Sequence, residues 1–214
     1  LELAPDRDAA TGAPVVRVTA RVVAQIRADG SYLTRPAVTV TEQYRLARVG
    51  GQWRLDGVPD GLRLTPADRL RSYTARNVYY LAPQRSSARH LVPDRVLLPA
   101  GPALNDELVR RLLNAPSKDL VGSVDEPSAP SLTPLSVEGS GLVTVTVSHD
   151  VDGLSPDEVR DLQAQLVWTL KQDERFTGLR LRTDSQVIRV DGESDVVPAS
   201  AFSSYDPNGL SANP

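Results

Sequence analysis

Apolar and polar residues alternate through the first part of the chain. In "VVRVTARVVAQI", Val16, Val18, Ala20, Val22, Ala24 and Ile26 fall on every second position, the period of a half-buried strand. Asp29-Gly30 then signals a turn. In "AVTVTEQYRLARV", Val38, Val40, Tyr44 and Leu46 share one face. Glu42 interrupts that face, as a residue at a sheet's edge can. Gly50-Gly51 turns the chain into "QWRLDGV", a short strand carrying Trp53 and Leu55. These segments predict an antiparallel meander. Its apolar face needs a helix or a second sheet over it, and little before Val15 supplies one, so the pattern implies that this domain has lost its N-terminal part.

The pattern changes after Pro59-Asp60-Gly61, a turn. Thr65 is placed to cap a short helix, with Pro66 at its first position and Asp68 in its first turn. "ARNVYYLAP" and "RHLVPDRVLLPAGP" read as strands, and the prolines of the second suit an edge. "ALNDELVRRLLNAPS" reads as a helix capped by Asn105 or Asp106, with Leu108, Val109, Leu112 and Leu113 at helical spacings and Pro116 as its stop. "KDLVGSVDEPSAPSLTPLS" is rich in Pro, Ser and acid and reads as a long loop. "LVTVTVS" then places Val143, Val145 and Val147 on one face of a strand.

The next helix is the most informative. Ser155, Pro156 and Glu158 form a capping-box start. Val159, Leu162, Leu166 and Leu170 make its main stripe. Trp168 lies about 200° around the helix from Leu166, with Ala164 beside it. The helix therefore has a second, smaller apolar face. "GLRLRTD" and "QVIRVDG" follow as strands, and the tail "ESDVVPASAFSSYDPNGLSANP" has no period and reads as a linker.

Composition narrows the chemistry. The chain has 214 residues, is 40 % hydrophobic and carries a net charge of -3, an ordinary globular balance that does not favour nucleic acid. There is no Cys, which excludes disulfides, thiolate metal sites and Cys nucleophiles. There is no Met, which implies a fragment or a processed product. No run reaches the roughly 18 apolar residues of a membrane span.

Candidate sites are few. Ser148-His149-Asp150 has the residue types of a hydrolytic triad, but neighbours in a strand point to opposite faces and cannot converge. Asp150, Asp152, Asp157 and Glu158 crowd an acidic stretch. Gly153 comes at position four, where a calcium loop needs Gly at six, so a turn and a helix cap is the better reading. "DGESD" from Asp191 to Asp195 reads as a turn. His90 and His149 are lone histidines without an i, i+4 partner, a poor metal site. Tyr73, Tyr79 and Tyr80 read as core and rim. Trp168 is the residue singled out, as a contact with a loop, with the neighbouring domain or with a partner. No catalytic residue, cofactor or metal is expected.

Four segments, "GQWRLDGVPDGLRLTPADRLRSYTARNVYYLAP", "LVPDRVLLPAG", "ELVRRLLNAPS" and "LVTVTVS…LSPDEVRDLQAQLVWTLKQ", occur in an order that resembles the actinobacterial LpqB lipoproteins. From about Asn77 to Val190 the chain is similar to the GerMN (sporulation and germination) domain, and the preceding meander resembles the end of the LpqB N-terminal domain. The resemblance implies an extracytoplasmic lipoprotein, anchored by a lipidated Cys to the outer face of the cell membrane and followed by a β-propeller-like region. Neither that Cys nor the propeller is part of this sequence. It also implies association with the MtrA–MtrB two-component system, with the sensor kinase as partner.

The expectation is an α+β protein. Residues 1–64 form an incomplete antiparallel sheet domain, a cystatin- or NTF2-like remnant. Residues 65–192 form a GerMN-like two-layer α/β sandwich, and residues 193–214 a linker. The expected function is non-enzymatic: binding and modulating the extracellular domain of an MtrB-like sensor histidine kinase. Binding of peptidoglycan glycan or peptide is the alternative. A wall ligand calls for a concave cleft with aromatic and polar groups, and a protein partner for a flatter apolar patch.

Overall fold

The computed structural model describes residues 2–58, 60–83, 89–125, 131–189 and 194–208. Pro59 of the expected turn, residues 126–130 of the expected loop and residues 191–193 of "DGESD" lie outside them. The chain divides into two units, residues 1–27 with 32–69 and residues 28–31 with 70–214.

The first unit is a four-stranded antiparallel sheet in the order β1 (Glu2–Arg7), β2 (Pro14–Ile26), β3 (Tyr32–Val49), β4 (Gln52–Leu55). The expected meander is present, with β1 added in front of it. Val16 stands opposite Tyr44, Ala20 opposite Val40, Val22 opposite Val38, and Leu46 opposite Leu55. Cross-strand partners share a face, so these side chains form one apolar surface. β4 pairs with β3 only as far as Leu46. Glu42 therefore lies where β3 has β2 alone beside it, a local sheet edge. Its carboxylate is bound by Arg63 and accepts a hydrogen bond from the Tyr44 hydroxyl at 3.0 Å. These two groups, Arg63 first, hold the carboxyl below its ordinary range.

α1 (Pro66–Ser72) follows, capped as expected: the Thr65 hydroxyl accepts the Asp68 N–H at 3.1 Å.

Among its described residues, the second unit holds two sheets and, after α1, two helices. β5 (Tyr73–Leu81) and β6 (Leu91–Pro99) form an antiparallel pair. α2 (Leu104–Asn114) then leads to β7 (Pro134–Glu138) and β8 (Leu142–Val147). α3 (Pro156–Leu170) crosses over to β9 (Gly178–Arg182), which pairs parallel to β8, as a helical crossover permits. β10 (Val197–Pro198) adds antiparallel to β9, completing the order β10-β9-β8-β7. One core joins Val78, Tyr80, Val96 and Leu98 of the hairpin to Leu108 and Leu112 of α2, Leu162, Leu166 and Leu170 of α3, and Val143, Val145, Leu179 and Leu181 of the sheet.

Three local expectations need correction. α2 is not capped by Asn105 or Asp106. It starts from Ala103 without a side-chain cap, and Asp106 reaches forward to Arg110 at 2.6 Å, the i, i+4 pairing of a helix surface. Of "QVIRVDG", the described residues 186–189 do not become a regular strand. The Thr183 hydroxyl and N–H both bond Gln186, closing a tight turn, after which an isolated bridge from Val187 to Arg182 and the Ile188 N–H on Leu181 O tie the segment back to β9. The tail is not free of structure. Residues 194–208 form β10 and a single 3-10 turn, Ser203–Tyr205, within the second unit.

Part of the hairpin's outer backbone edge is taken up within the unit. Residues 28–31 belong to this unit, and Gly30 O accepts the outward N–H of Leu97 at 2.9 Å. Two and four residues before Leu97, the same outer edge of β6 carries Arg95 and then Pro93, which has no N–H.

Candidate functional site

α3 is the hub of the second unit. Its capping box is closed: the Ser155 hydroxyl accepts the Glu158 N–H, and the Glu158 carboxylate accepts the Ser155 N–H. Ten of its fifteen residues are buried, so it is covered on nearly every side. At about 100° per residue, Leu162, Leu166 and Leu170 occupy one face and Ala164 and Trp168 the opposite one. Gln165, Thr169 and, just past the helix end, Gln172 lie between them.

That middle stripe hydrogen-bonds the outer edge of β5. Gln172 accepts the Asn77 N–H at 2.9 Å and donates to Asn77 O at 2.6 Å. The Thr169 hydroxyl accepts the Tyr79 N–H at 3.1 Å, and Gln165 donates to Tyr79 O at 3.2 Å. The helix stands where a further strand would otherwise pair. Backbone groups buried without partners are costly, and these side chains satisfy them.

The face with Trp168 is packed from within the unit. The indole N–H donates to Phe202 O at 3.0 Å. Its ring meets Tyr79 edge-on at 5.8 Å, and the Lys171 ammonium lies over it. Trp168 therefore meets the 202–205 segment. Tyr205 donates from its hydroxyl to Asp161 Oδ1 at 2.8 Å. Asp161 Oδ2 forms an ion pair with Arg89, which also reaches Asp125 at 3.3 Å. Asp161 is 2 % exposed. Burial pushes its carboxyl up from the ordinary value, against the lowering influence of Tyr205 and Arg89. Burial and the facing Asp161 also raise the Tyr205 hydroxyl.

Beside this segment lies an open cleft of about 510 Å³, lined by Arg160 of α3 and by Ser194, Val196–Pro198 and Ala201–Tyr205. Among the described residues, no carboxylate lines it. Phe202 sits at φ 62°, ψ 36°, the left-handed region, the one non-glycine there among the described residues.

The other sequence candidates go separate ways. Ser148 bonds Asp150 at 2.7 Å and not His149, so "SHD" makes no triad. His149 bridges Asp152 at 3.0 Å and Asp184 at 2.7 Å. Asp157 pairs with Arg160, and Glu158 is spent on its cap. Among the described residues, no group of three or more His, Cys, Asp or Glu is placed to hold a metal, and no helix is long and apolar enough to cross a membrane. Tyr80 is core, its hydroxyl donating to Arg111 O and Ala115 O at the end of α2.

The His149 bridge gives a pH-dependent clip. The Asp152 and Asp184 carboxylates raise its pKa above the ordinary 6.5. A raised histidine pKa stabilises the fold fully below the unfolded value, and this contribution is lost as pH rises through the folded one. An NMR titration of His149 is expected to give a midpoint above 6.5, falling back towards it when Asp152 and Asp184 are both changed to Asn. An unchanged midpoint in that variant would remove the bridge as the cause.

In the first unit, the apolar sheet surface stays open to solvent: Leu3 is 64 % exposed, Val38 50 %, Trp53 57 % and Leu55 57 %. Arg48 stands over the Trp53 ring at its border. Sequence reasoning found both apolar faces of α3 and missed the polar stripe between them. The signal was available, since Gln165, Thr169 and Gln172 keep one helical line flanked by apolar residues on both sides.

Comparison with known proteins accounts for most of the chain. Residues 2–69 match the family described as lipoprotein LpqB, N-terminal domain, and residues 77–195 match the sporulation and spore germination family. Lipoprotein LpqB of Thermobifida fusca is 35 % identical over 210 residues, covering 93 % of this chain and 33 % of the relative. Lipoprotein LpqB of Cutibacterium acnes is 28 % identical over 193 residues, covering 88 % of this chain and 32 % of the relative. The chain thus spans about a third of the length of these relatives. Among solved structures, the first GerMN domain of the sporulation protein GerM from Bacillus subtilis aligns with a TM-score of 0.47 and 16 % identity, over 58 % of this chain and 97 % of that one.

Proposed function

Because the chain belongs to the LpqB lipoprotein family, with a sporulation and spore germination domain as its larger unit, we propose that it is the binding part of a lipid-anchored protein on the outer face of the cell membrane. Its partner is the extracellular domain of an MtrB-like sensor histidine kinase, and its action is non-enzymatic. The observation that carries this reading is the open sheet face of the first unit. An apolar surface with exposed Val38, Trp53 and Leu55 and a charged border has the composition of a protein-docking patch. Such a regulator shifts the kinase only if it binds one signalling state more tightly than the other.

The test is calorimetric titration of this chain with the purified extracellular domain of the cognate kinase. Saturable binding is expected, weakened about tenfold or more by Val38→Asp with Leu55→Asp. Both positions are exposed, so the variant should keep the circular dichroism spectrum of the parent. Absence of saturable heat, or equal binding by the variant, would overturn the assignment of this face. Muropeptides titrated in parallel address the alternative, binding of peptidoglycan glycan or peptide, which the concave cleft of the second unit favours.

A further inference from the structure

We propose that the cleft beside Phe202 is a binding site for a peptide's terminal carboxylate with a small apolar residue next to it. This inference rests on the second unit alone and stands apart from the sheet face of the first.

Cleft size comes first. About 510 Å³ is within the range of small-molecule sites and holds a di- or tripeptide end. Charge comes next. Among the described lining residues, Arg160 is the one side chain charged at neutral pH, and its charge favours an anion. Its protein partner is Asp157, at the helix start, with a side chain 87 % exposed. An ion pair that open is held weakly, and an incoming carboxylate can replace it while using the guanidinium fork in two bonds. One guanidinium suits a singly charged carboxylate better than a phosphate, which draws in more donors. Ser203 and Ser204 add two exposed hydroxyls at the rim.

The walls set the neighbouring group. Val196, Val197, Pro198 and Ala201 are small and apolar, and the Phe202 and Tyr205 rings stand edge-to-face at 5.6 Å. Walls of this kind suit a small apolar side chain. Backbone strain points to the same place. A bulky residue in the left-handed region is an outlier that persists only where surrounding contacts over-determine it, and such outliers cluster at functional sites. Here the Trp168 indole and the Tyr205 N–H both donate to Phe202 O, each at 3.0 Å, and Asp161 anchors the Tyr205 hydroxyl. The wall is pre-formed by the face of α3 that carries Trp168. Trp168 and Asp161 are positioning residues for it.

The terminal carboxylate could come from a wall peptide ending in D-alanine or from a protein C-terminus. The probes are diacetyl-Lys-D-Ala-D-Ala, its L-Ala-L-Ala counterpart and the C-terminal amide of each, titrated into the whole chain by two-dimensional amide NMR. At least one acid is expected to shift the amides of Phe202 to Tyr205 saturably at millimolar concentration, and its amide to bind about tenfold more weakly. Preference for the D-form assigns the wall, and preference for the L-form a protein end. Arg160→Gln, a surface change, is expected to weaken binding by a similar factor with an unchanged melting temperature. Trp168→Phe should weaken it while leaving Arg160 in place. No saturable shift with either acid, equal binding by acid and amide, or full binding by Arg160→Gln would each overturn the site. The sheet-face variant of the first unit should bind these probes normally, which keeps the two assignments separable.

Discussion

Changing Thr169 to Val is expected to destabilise the protein by about 2 kcal/mol, and changing Gln165, Thr169 and Gln172 together to Leu, Val and Leu by about 4 kcal/mol or more. The single change is nearly isosteric, so packing in a site 0 % exposed is preserved. What it removes is the acceptor for the buried Tyr79 N–H. A buried donor left without a partner costs about 1–3 kcal/mol, more than the net worth of an ordinary hydrogen bond. The triple variant strips Asn77 and Tyr79 of four bonds at once. Against a total stability of roughly 5–15 kcal/mol, that is a large fraction. Urea unfolding gives the energies. Hydrogen exchange gives the location, since the amides of Asn77 and Tyr79 should lose protection first. A loss under about 0.5 kcal/mol for Thr169→Val would mean that water or a shifted backbone replaces the side chain.

The second large effect is at Asp161. Asp161→Ala is expected to cost about 3–4 kcal/mol at neutral pH, because it leaves Arg89 without its most buried partner and the Tyr205 hydroxyl without an acceptor. Asp161→Asn should cost about half as much, since an amide still accepts from Tyr205 and carries no buried charge. The pH dependence separates the terms. Burial raises the Asp161 pKa in the fold, so the folded protein holds that proton more tightly than the unfolded chain. The contribution of Asp161 is largest below its unfolded pKa, near 3.8, and declines as pH rises through the folded one. Asp161→Asn should lack that decline. Urea unfolding of both variants across the acidic range is the measurement, and a decline that persists in Asp161→Asn would assign it to another group.

The elements were legible where one physical signal dominated. Period-two alternation gave β2 and β3, and the Ser155–Glu158 box gave the start of α3 to the residue. β1 was not legible, because "ELAPDR" has no apolar period and is a strand only through its pairing with β2. The tail failed for the same reason. Val197 is buried by pairing with Leu179, and Tyr205 by reaching Asp161 across 44 residues, contacts that no local pattern encodes. The cleft depends on these long-range contacts and was invisible in the sequence. Trp168 was identified from its angle on the helix alone. What it touches required the fold.

The position of Pro93 has a consequence for how copies of this protein behave when crowded. β6 carries "LVPDRVLLP", in which the apolar Val96, Leu97 and Leu98 follow Pro93 and Arg95, and a bare strand edge is a template for pairing with another chain. A strand arriving at that edge would find a missing donor at Pro93 and a charged side chain at Arg95, with the Leu97 N–H already taken. The fold can thus keep the apolar end of β6 at the margin of its hairpin while the rest of that edge discourages pairing with another copy.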